Sequence, residues 1–202
     1  MPFEAMRIFG DLGSGNCQKV KLTADYLELS YRWVPIDIMK RETRSSEFLA
    51  RNPFGQIPVV EFADGRHLAQ SNAIVRYLAR GSALLPEEPF KQAKCDELMY
   101  WEQYSHEPYV AVARFQMVYL GKSSREREAR LVERGDKALD TMERLLHSKL
   151  HSKRFFVGDR LSVADIALLP YTRLAHEGGF DLTDRPAVRA WIADCEAELR
   201  MS

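Results

Sequence analysis

The sequence predicts an α/β layer over residues 1–84, a short linker over 85–93 and an all-helical region over 94–202. Three observations predict this. Near the N-terminus a glycine-bearing loop separates a short apolar run from a helical repeat. Between residues 57 and 81 a hairpin signal runs straight into a helix start. After the Leu84–Pro89 segment, LLPEEP, strand signals almost vanish.

Taken in order, Met6–Gly10 is a short apolar run, Gly13 and Gly15 follow it, and Val20, Ala24 and Leu27 recur with helical spacing. Tyr31–Ile36 is rich in β-branched and aromatic residues, so the first unit reads βαβ with a right-handed crossover. Residues 37–51 are polar around Phe48 and Leu49, a loop with one short helix. Ile57, Val59, Glu61 and Phe62 form a β-rich run, Asp64-Gly65 is a turn dipeptide, and a second strand follows around His67–Ala69. Ser71 then stands as N-cap of a helix with Ala73, Ile74, Tyr77 and Leu78 on one face and Gly81 as its stop. The Ile57-Pro58 bond is open to two readings: trans, the commoner state, or cis, which turns the Ile57 backbone outward.

In the second half, residues 91–120 carry helical spacing with Pro108 forcing a kink or break. Ser123–Glu126 reads as a capping box opening a long helix with the stripe Leu131, Ala138, Leu139, Met142, Leu145 and Leu146. The aromatic stretch Phe155-Phe156-Val157 ends at Gly158. Ser162–Asp165 caps a helix bearing Ile166, Leu168 and Leu169, which Gly178-Gly179 closes, and Asp184 with Pro186 starts a last helix carrying Val188, Trp191 and Ile192.

Composition narrows the function. A hydrophobic content of 46% excludes a disordered chain, and 29 basic against 29 acidic residues leave no global field to draw nucleic acid or an anionic membrane. The three cysteines, Cys17, Cys95 and Cys195, are far apart, odd in number and lack a CxxC spacing. They suggest neither a disulfide framework nor a metal site, and a reducing cytoplasm fits them. No apolar stretch reaches the ~18 residues of a spanning helix, and no signal-peptide core precedes the first strand.

Two helix starts could carry chemistry. The loop Gly13–Cys17 offers backbone N–H groups and the positive end of a helix dipole to an anion such as a thiolate. Ser14 or Asn16 could donate to it, and Cys17 in the first turn could itself be a low-pKa nucleophile. Equally, Ser14 or Asn16 is an N-cap and Cys17 a small packed residue. Gln70-Ser71 is either a solvated turn with its cap or a carboxylate seat with an acceptor for a neighbouring ammonium. Lys40, Arg41 and Arg44 form a basic run, solvated or reaching a second carboxylate. Tyr104, His106, Tyr109 and Arg114 gather around Pro108, as packing or as substrate contacts. No phosphate loop, Ser/His/Asp order, HExxH or paired-carboxylate spacing is present.

These stretches together resemble one family. Ser14-Gly15-Asn16-Cys17-Gln18-Lys19, NPFGQIPVV at 52–60, DGRHLAQSNAIVRYLA at 64–79 and SVADI at 162–166 are similar to the cytosolic glutathione S-transferases of bacteria, over nearly the whole chain. The resemblance implies a thioredoxin-like N-terminal domain followed by an all-helical one, glutathione as co-substrate, no metal, a homodimer and a cytoplasmic location. It implies a cis Pro58, with the Ile57 backbone pairing the cysteinyl backbone of glutathione as a short added strand. Ser14 matches the thiol-activating serine of the serine-type classes, theta- or phi-like. Gln56 would touch the tripeptide, Gln70 with Ser71 would hold its γ-glutamyl end, and Lys40 or Arg41 would meet its glycyl carboxylate. Tyr104, Pro108 and Arg114 would line the electrophile pocket. Phe54 stands where some classes carry an interlocking dimer aromatic, and SVADI matches a structural capping box.

The chain also departs from the pattern. Most members have an acid where Gln70 stands, and the neutral amide loses a charge contribution of ~1 kcal/mol to glutathione binding. Cys17 lies near the cysteine of a mixed-disulfide-forming bacterial class, and the loop has no tyrosine, so Ser14, Asn16 and Cys17 compete for the catalytic role. The expected activity is attack of the glutathione thiolate on a small hydrophobic electrophile. Glutathione-dependent disulfide or peroxide reduction, with Cys17 or the bound thiol as nucleophile, is one alternative, and a non-catalytic interaction protein is another.

Overall fold

Strand β1 (Met6–Gly10) is buried at every position but Arg7 and sits inside a four-stranded sheet of order β2-β1-β3-β4. In this computed structural model, residues 6–126, 128–147 and 154–201 are described. They fall into two compact units divided between Ser82 and Ala83. In the first, β1 pairs in parallel with β2 (Tyr31–Pro35), a direction made possible by the crossover helix α1 (Gly15–Tyr26). It pairs antiparallel with β3 (Val59–Glu61), which pairs antiparallel with β4 (His67–Ala69). Gly65 makes that hairpin with φ 81°, a left-handed value that glycine adopts without a Cβ clash. Helix α2 (Ser46–Arg51) is capped by Ser45, whose Oγ accepts from the Phe48 N–H at 3.2 Å, and Phe48 packs with Phe9 and Val59 beneath the sheet.

Helix α3 (Ser71–Leu78) corrects one expectation. Ser71 is its first helical residue, not its cap; the cap position is held by Gln70, and no side chain makes the capping bond. Gln70 has φ 68° and ψ 108°, so the chain turns sharply there and swings the Ser71 hydroxyl away from its own helix.

The second unit is helical. Helix α4 (Pro89–Trp101) starts inside the stretch expected as linker, because a proline in the first helical turn gives up an N–H that would have no partner anyway. At Pro108 the chain neither stops nor breaks. A π-helical turn over Glu102–His106 joins α4 to α5 (Glu107–Val118), the wider turn absorbing the N–H and the space that Pro108 denies an α-helix. The Ser123–Glu126 box does form, Glu126 accepting from the Ser123 N–H at 2.8 Å and the Ser123 hydroxyl at 2.7 Å. It starts a single 3-10 turn, however, and α6 (Ala129–His147) begins after it. On α6, Gly135 faces Phe180 so closely that an added Cβ would lie 2.4 Å from the ring.

Helix α7 (Val163–Arg173) is buried from Val163 to Thr172. Asp165 accepts at Oδ2 from the Ser162 N–H (2.9 Å) and hydroxyl (2.6 Å), and at Oδ1 from the Phe156 N–H (3.0 Å) and the Trp191 indole (2.9 Å). Trp191 belongs to the last helix, α8 (Pro186–Glu198), so one carboxylate ties three segments together. Burial pushes the Asp165 carboxyl pKa up, against the pull of those donors. Among the described residues no helix is long and apolar enough to cross a membrane.

Candidate functional site

In the first unit a hydrogen bond joins the starts of α1 and α3 across 55 residues of sequence: the Ser71 hydroxyl donates to Asn16 Oδ1 at 3.1 Å. The loop ahead of α1 is fixed by Asp11, whose carboxylate accepts from the Gly13 N–H at 2.8 Å and whose carbonyl accepts from the Ser14 N–H at 3.0 Å. Ser14 takes the N-cap position in extended geometry, yet its side chain makes no capping bond. It is half-buried, with its carbonyl accepting from the Gln18 N–H at 2.9 Å. A hydroxyl at a helix N-terminus that makes no bond to the backbone of its own first turn can donate to an anion placed there.

Cys17 is not part of that surface. Its side chain has no exposure, packs where a Cβ on Gly10 would meet its Sγ at 2.8 Å, and burial pushes its thiol pKa up to about 12. Hydrogen bonds from the Ser14 side chain and the Asp11 backbone pull the other way without prevailing. The expectation of a low-pKa nucleophile is therefore corrected. Helix position alone suggested a stabilised thiolate, but Cys17 points along the apolar face with Val20 and Ala24 and not out of the first turn.

The strand start ahead of β3 is held by Asn52. This buried side chain donates from Nδ2 to the Gln56 carbonyl at 2.6 Å and accepts at Oδ1 from the Phe54 N–H at 3.1 Å. The Ile57-Pro58 bond is cis. Neither the N–H nor the carbonyl of Ile57 has a hydrogen-bond partner among the described residues, while Pro58 is buried and Gln56 exposed. Gln70 is exposed beside the buried Ser71, and its positive φ is uncommon for a residue with a Cβ. Lys40 and Arg41 lie in the turn after β2, both exposed. Lys40 is paired with Asp37 at 3.1 Å, Arg41 takes φ 61°, and among the described residues neither side chain bonds to the group formed by Asn16 and Ser71.

Reading the sequence assigned nothing to Asn52 or to Lys19. Lys19 is fully buried and donates from Nζ to Asn16 Oδ1 at 2.8 Å. Its one signal was a lysine on the helix face that carries Val20 and Ala24.

In the helical unit the expected electrophile residues separate. Tyr104, 83% exposed, lines an open cavity of about 320 Å³ together with Trp101, Ser105, Tyr109, Arg134 and Lys137. Pro108 opens α5 and is not among the lining residues. Arg114 is buried, its Nε donating to Glu177 at 2.6 Å, so it ties α5 to the 3-10 turn Ala175–Gly178 and is withdrawn from the pocket. His106 is packing as well, buried with Nε2 3.1 Å from the Thr172 hydroxyl.

Comparison with known proteins agrees with this geometry. The family profiles "Glutathione S-transferase, N-terminal domain" and "Glutathione S-transferase, C-terminal domain" match residues 4–80 and 125–194. A crystal structure of a glutathione S-transferase from Pseudomonas fluorescens superposes with a TM-score of 0.89 at 45% identity, over 95% of this chain and 94% of that one. Maleylacetoacetate isomerase from Rhizobium meliloti is 31% identical, over 88% of this chain and 84% of that protein. Glutathione S-transferase GstB from Escherichia coli is 29% identical, over 91% and 89%. With a four-stranded sheet, a cis proline ahead of β3, a helical second unit and relatives of this kind along almost its full length, the chain belongs to the glutathione S-transferase family and is a glutathione transferase.

Proposed function

We propose that glutathione lies along the first unit with its thiol at Ser14, its cysteinyl backbone against Ile57 and its γ-glutamyl group at Gln70-Ser71. The Asn16–Ser71 hydrogen bond carries this reading, because it sets two helix N-termini side by side, one for a thiolate and one for a carboxylate. Ser14 donates to the thiolate and lowers its pKa toward neutrality, and Asn16 supplies a second donor. The open N–H and carbonyl of Ile57 are the two groups an extended peptide pairs with. Since the single Ser71 proton goes to Asn16, the γ-glutamyl carboxylate is received by the backbone N–H groups of the first turn of α3, and Gln70 accepts from the ammonium. Gln56 flanks the cysteinyl residue, and Arg41, which is not engaged in an ion pair among the described residues, is a better partner for the glycyl carboxylate than Lys40.

The electrophile is a small apolar molecule attacked by the thiolate, and Tyr104 is its proposed contact on the helical unit. The second subunit is another copy of this chain, covering Phe54, which is 63% exposed. Three buried, unpaired cysteines suit a reducing cytoplasm. The buried Cys17 argues against a Cys17-based reductase, leaving the bound thiol as the nucleophile.

Titration of reduced glutathione into wild type and Ser14→Ala, alongside turnover of 1-chloro-2,4-dinitrobenzene, tests this assignment. Ser14→Ala is expected to keep glutathione affinity and to lose about 10²-fold in kcat/KM, the effect of removing one preorganised donor. Wild-type turnover in Ser14→Ala would move the thiol away from α1.

A further inference from the structure

The cavity of about 320 Å³ in the helical unit has the size of a small-ligand site, and its two sides differ in chemistry. One side is aromatic, with Trp101, Tyr104 and Tyr109 from α4, the π-turn and α5. The other is cationic. Arg130, Arg134 and Lys137 follow one face of α6 over two turns, about 10 Å. Among the described residues no carboxylate lines the cavity, in a chain whose 29 basic and 29 acidic residues cancel. The acids near this face are engaged elsewhere. Asp136 and Asp140 both pair with Arg185, at 3.0 and 2.8 Å, and Glu143 accepts from the Ala187 and Val188 N–H groups of α8 at 3.1 and 2.9 Å. Glu128 accepts from Gln116 at 3.2 Å and Glu126 from the Ser123 N–H at 2.8 Å, while Glu133 is exposed and is not a lining residue. Among the described residues the side chains of Arg130, Arg134 and Lys137 have neither an ion pair nor a hydrogen bond. Like charges one turn apart on a helix repel, and an anion between them removes that cost. A guanidinium binds a carboxylate through two parallel hydrogen bonds, and the rings opposite suit a flat apolar body.

We propose that the second substrate is an acidic electrophile: a flat, aromatic or conjugated molecule whose carboxylate is held by Arg134 with Arg130 and Lys137 while its apolar body lies against Trp101 and Tyr104. The inference rests on the reading of Tyr104 as the electrophile's contact and names the class of molecule which that contact serves. The carboxylate takes no part in making the new bond. It orients the molecule, and it selects acids over neutral compounds of the same reactivity.

The test compares two electrophiles that react by one displacement, in which the glutathione sulfur bonds to the ring carbon and chloride leaves with the electron pair of the broken C–Cl bond. One is the neutral 1-chloro-2,4-dinitrobenzene and the other the anionic 4-chloro-3,5-dinitrobenzoate. Each kcat/KM is divided by the rate constant of the uncatalysed reaction with glutathione, which removes the difference in intrinsic reactivity. Wild type is expected to favour the benzoate by about tenfold, and that preference should shrink as salt is raised toward about 1 M. Arg134→Gln combined with Lys137→Gln should abolish it, a fall of about tenfold in the ratio, and Arg134→Glu should turn it into a preference for the neutral compound. Both positions are exposed, and glutamine and glutamate are good helix formers, so the variants keep α6. No preference in wild type, or a preference that persists in the double variant, would overturn the inference while leaving Tyr104 as the contact. Tyr104→Ala checks that contact separately. Lower kcat/KM for both electrophiles supports it, whereas wild-type values for both would take the electrophile away from Tyr104, and the inference would go with it.

Discussion

At Gln70 backbone and side chain have separate tasks. The backbone takes φ 68° to turn the chain into α3, a conformation costing of order 1–3 kcal/mol for a residue with a Cβ, while the side-chain amide stays exposed, where the proposed glutathione site needs it. Replacing Gln70 by Glu keeps the length and the acceptor and adds a charge opposite the proposed ammonium. Titration calorimetry should show glutathione binding tightened by about fivefold, with the gain shrinking as salt is raised. An unchanged affinity would place the ammonium elsewhere. Single residues were only partly legible in the sequence. The candidates Ser14, Asn16 and Ser71 do start their helices, but the direction of a side chain is set by packing. Cys17 turned into the core and Ser71 turned to Asn16 instead of its own helix, and neither outcome leaves a mark in the local sequence.

Helices and strands were more legible, because their apolar periods report the core that each one faces. The β-hairpin and α3 follow from alternation, Asp64-Gly65 and an apolar face. Where the sequence misled, a proline or a capping pair was read as a boundary. Pro108 is absorbed by a π-turn, Pro89 lies within the first turn of α4, and the Ser123–Glu126 box starts only a 3-10 turn. The Ser162–Asp165 box is different, because Asp165 also accepts from Phe156 and Trp191. Asp165→Asn should therefore cost more than a lost cap. The amide offers no acceptor for the two Ser162 donors if its oxygen serves Trp191, leaving buried groups unsatisfied, and about 2–3 kcal/mol should be lost in urea denaturation. A loss below ~0.5 kcal/mol would mean that water replaces the carboxylate.

For the molecule as a whole, the change from mixed sheet to helices was visible because strand signals stop near Leu84, whereas assembly was not, since a surface shows its partner only through exposed apolar groups. Phe54 is such a group, and the proposed homodimer gives it a task. In sedimentation velocity Phe54→Ala should weaken the dimer by about 2–3 kcal/mol, the loss expected of an aromatic anchor, without changing the melting temperature of the separated monomer. A dimer of wild-type strength would move the contact to another face. The distribution of thiols has a practical consequence. Cys17 lies in α1, Cys95 in α4 and Cys195 in α8, each buried and unpaired, so the native chain carries sulfhydryl reporters in both units and none on its exterior. Pulse alkylation followed by peptide mass analysis would time the opening of the sheet unit at Cys17 separately from that of the helical unit at Cys95 and Cys195, with no engineered label.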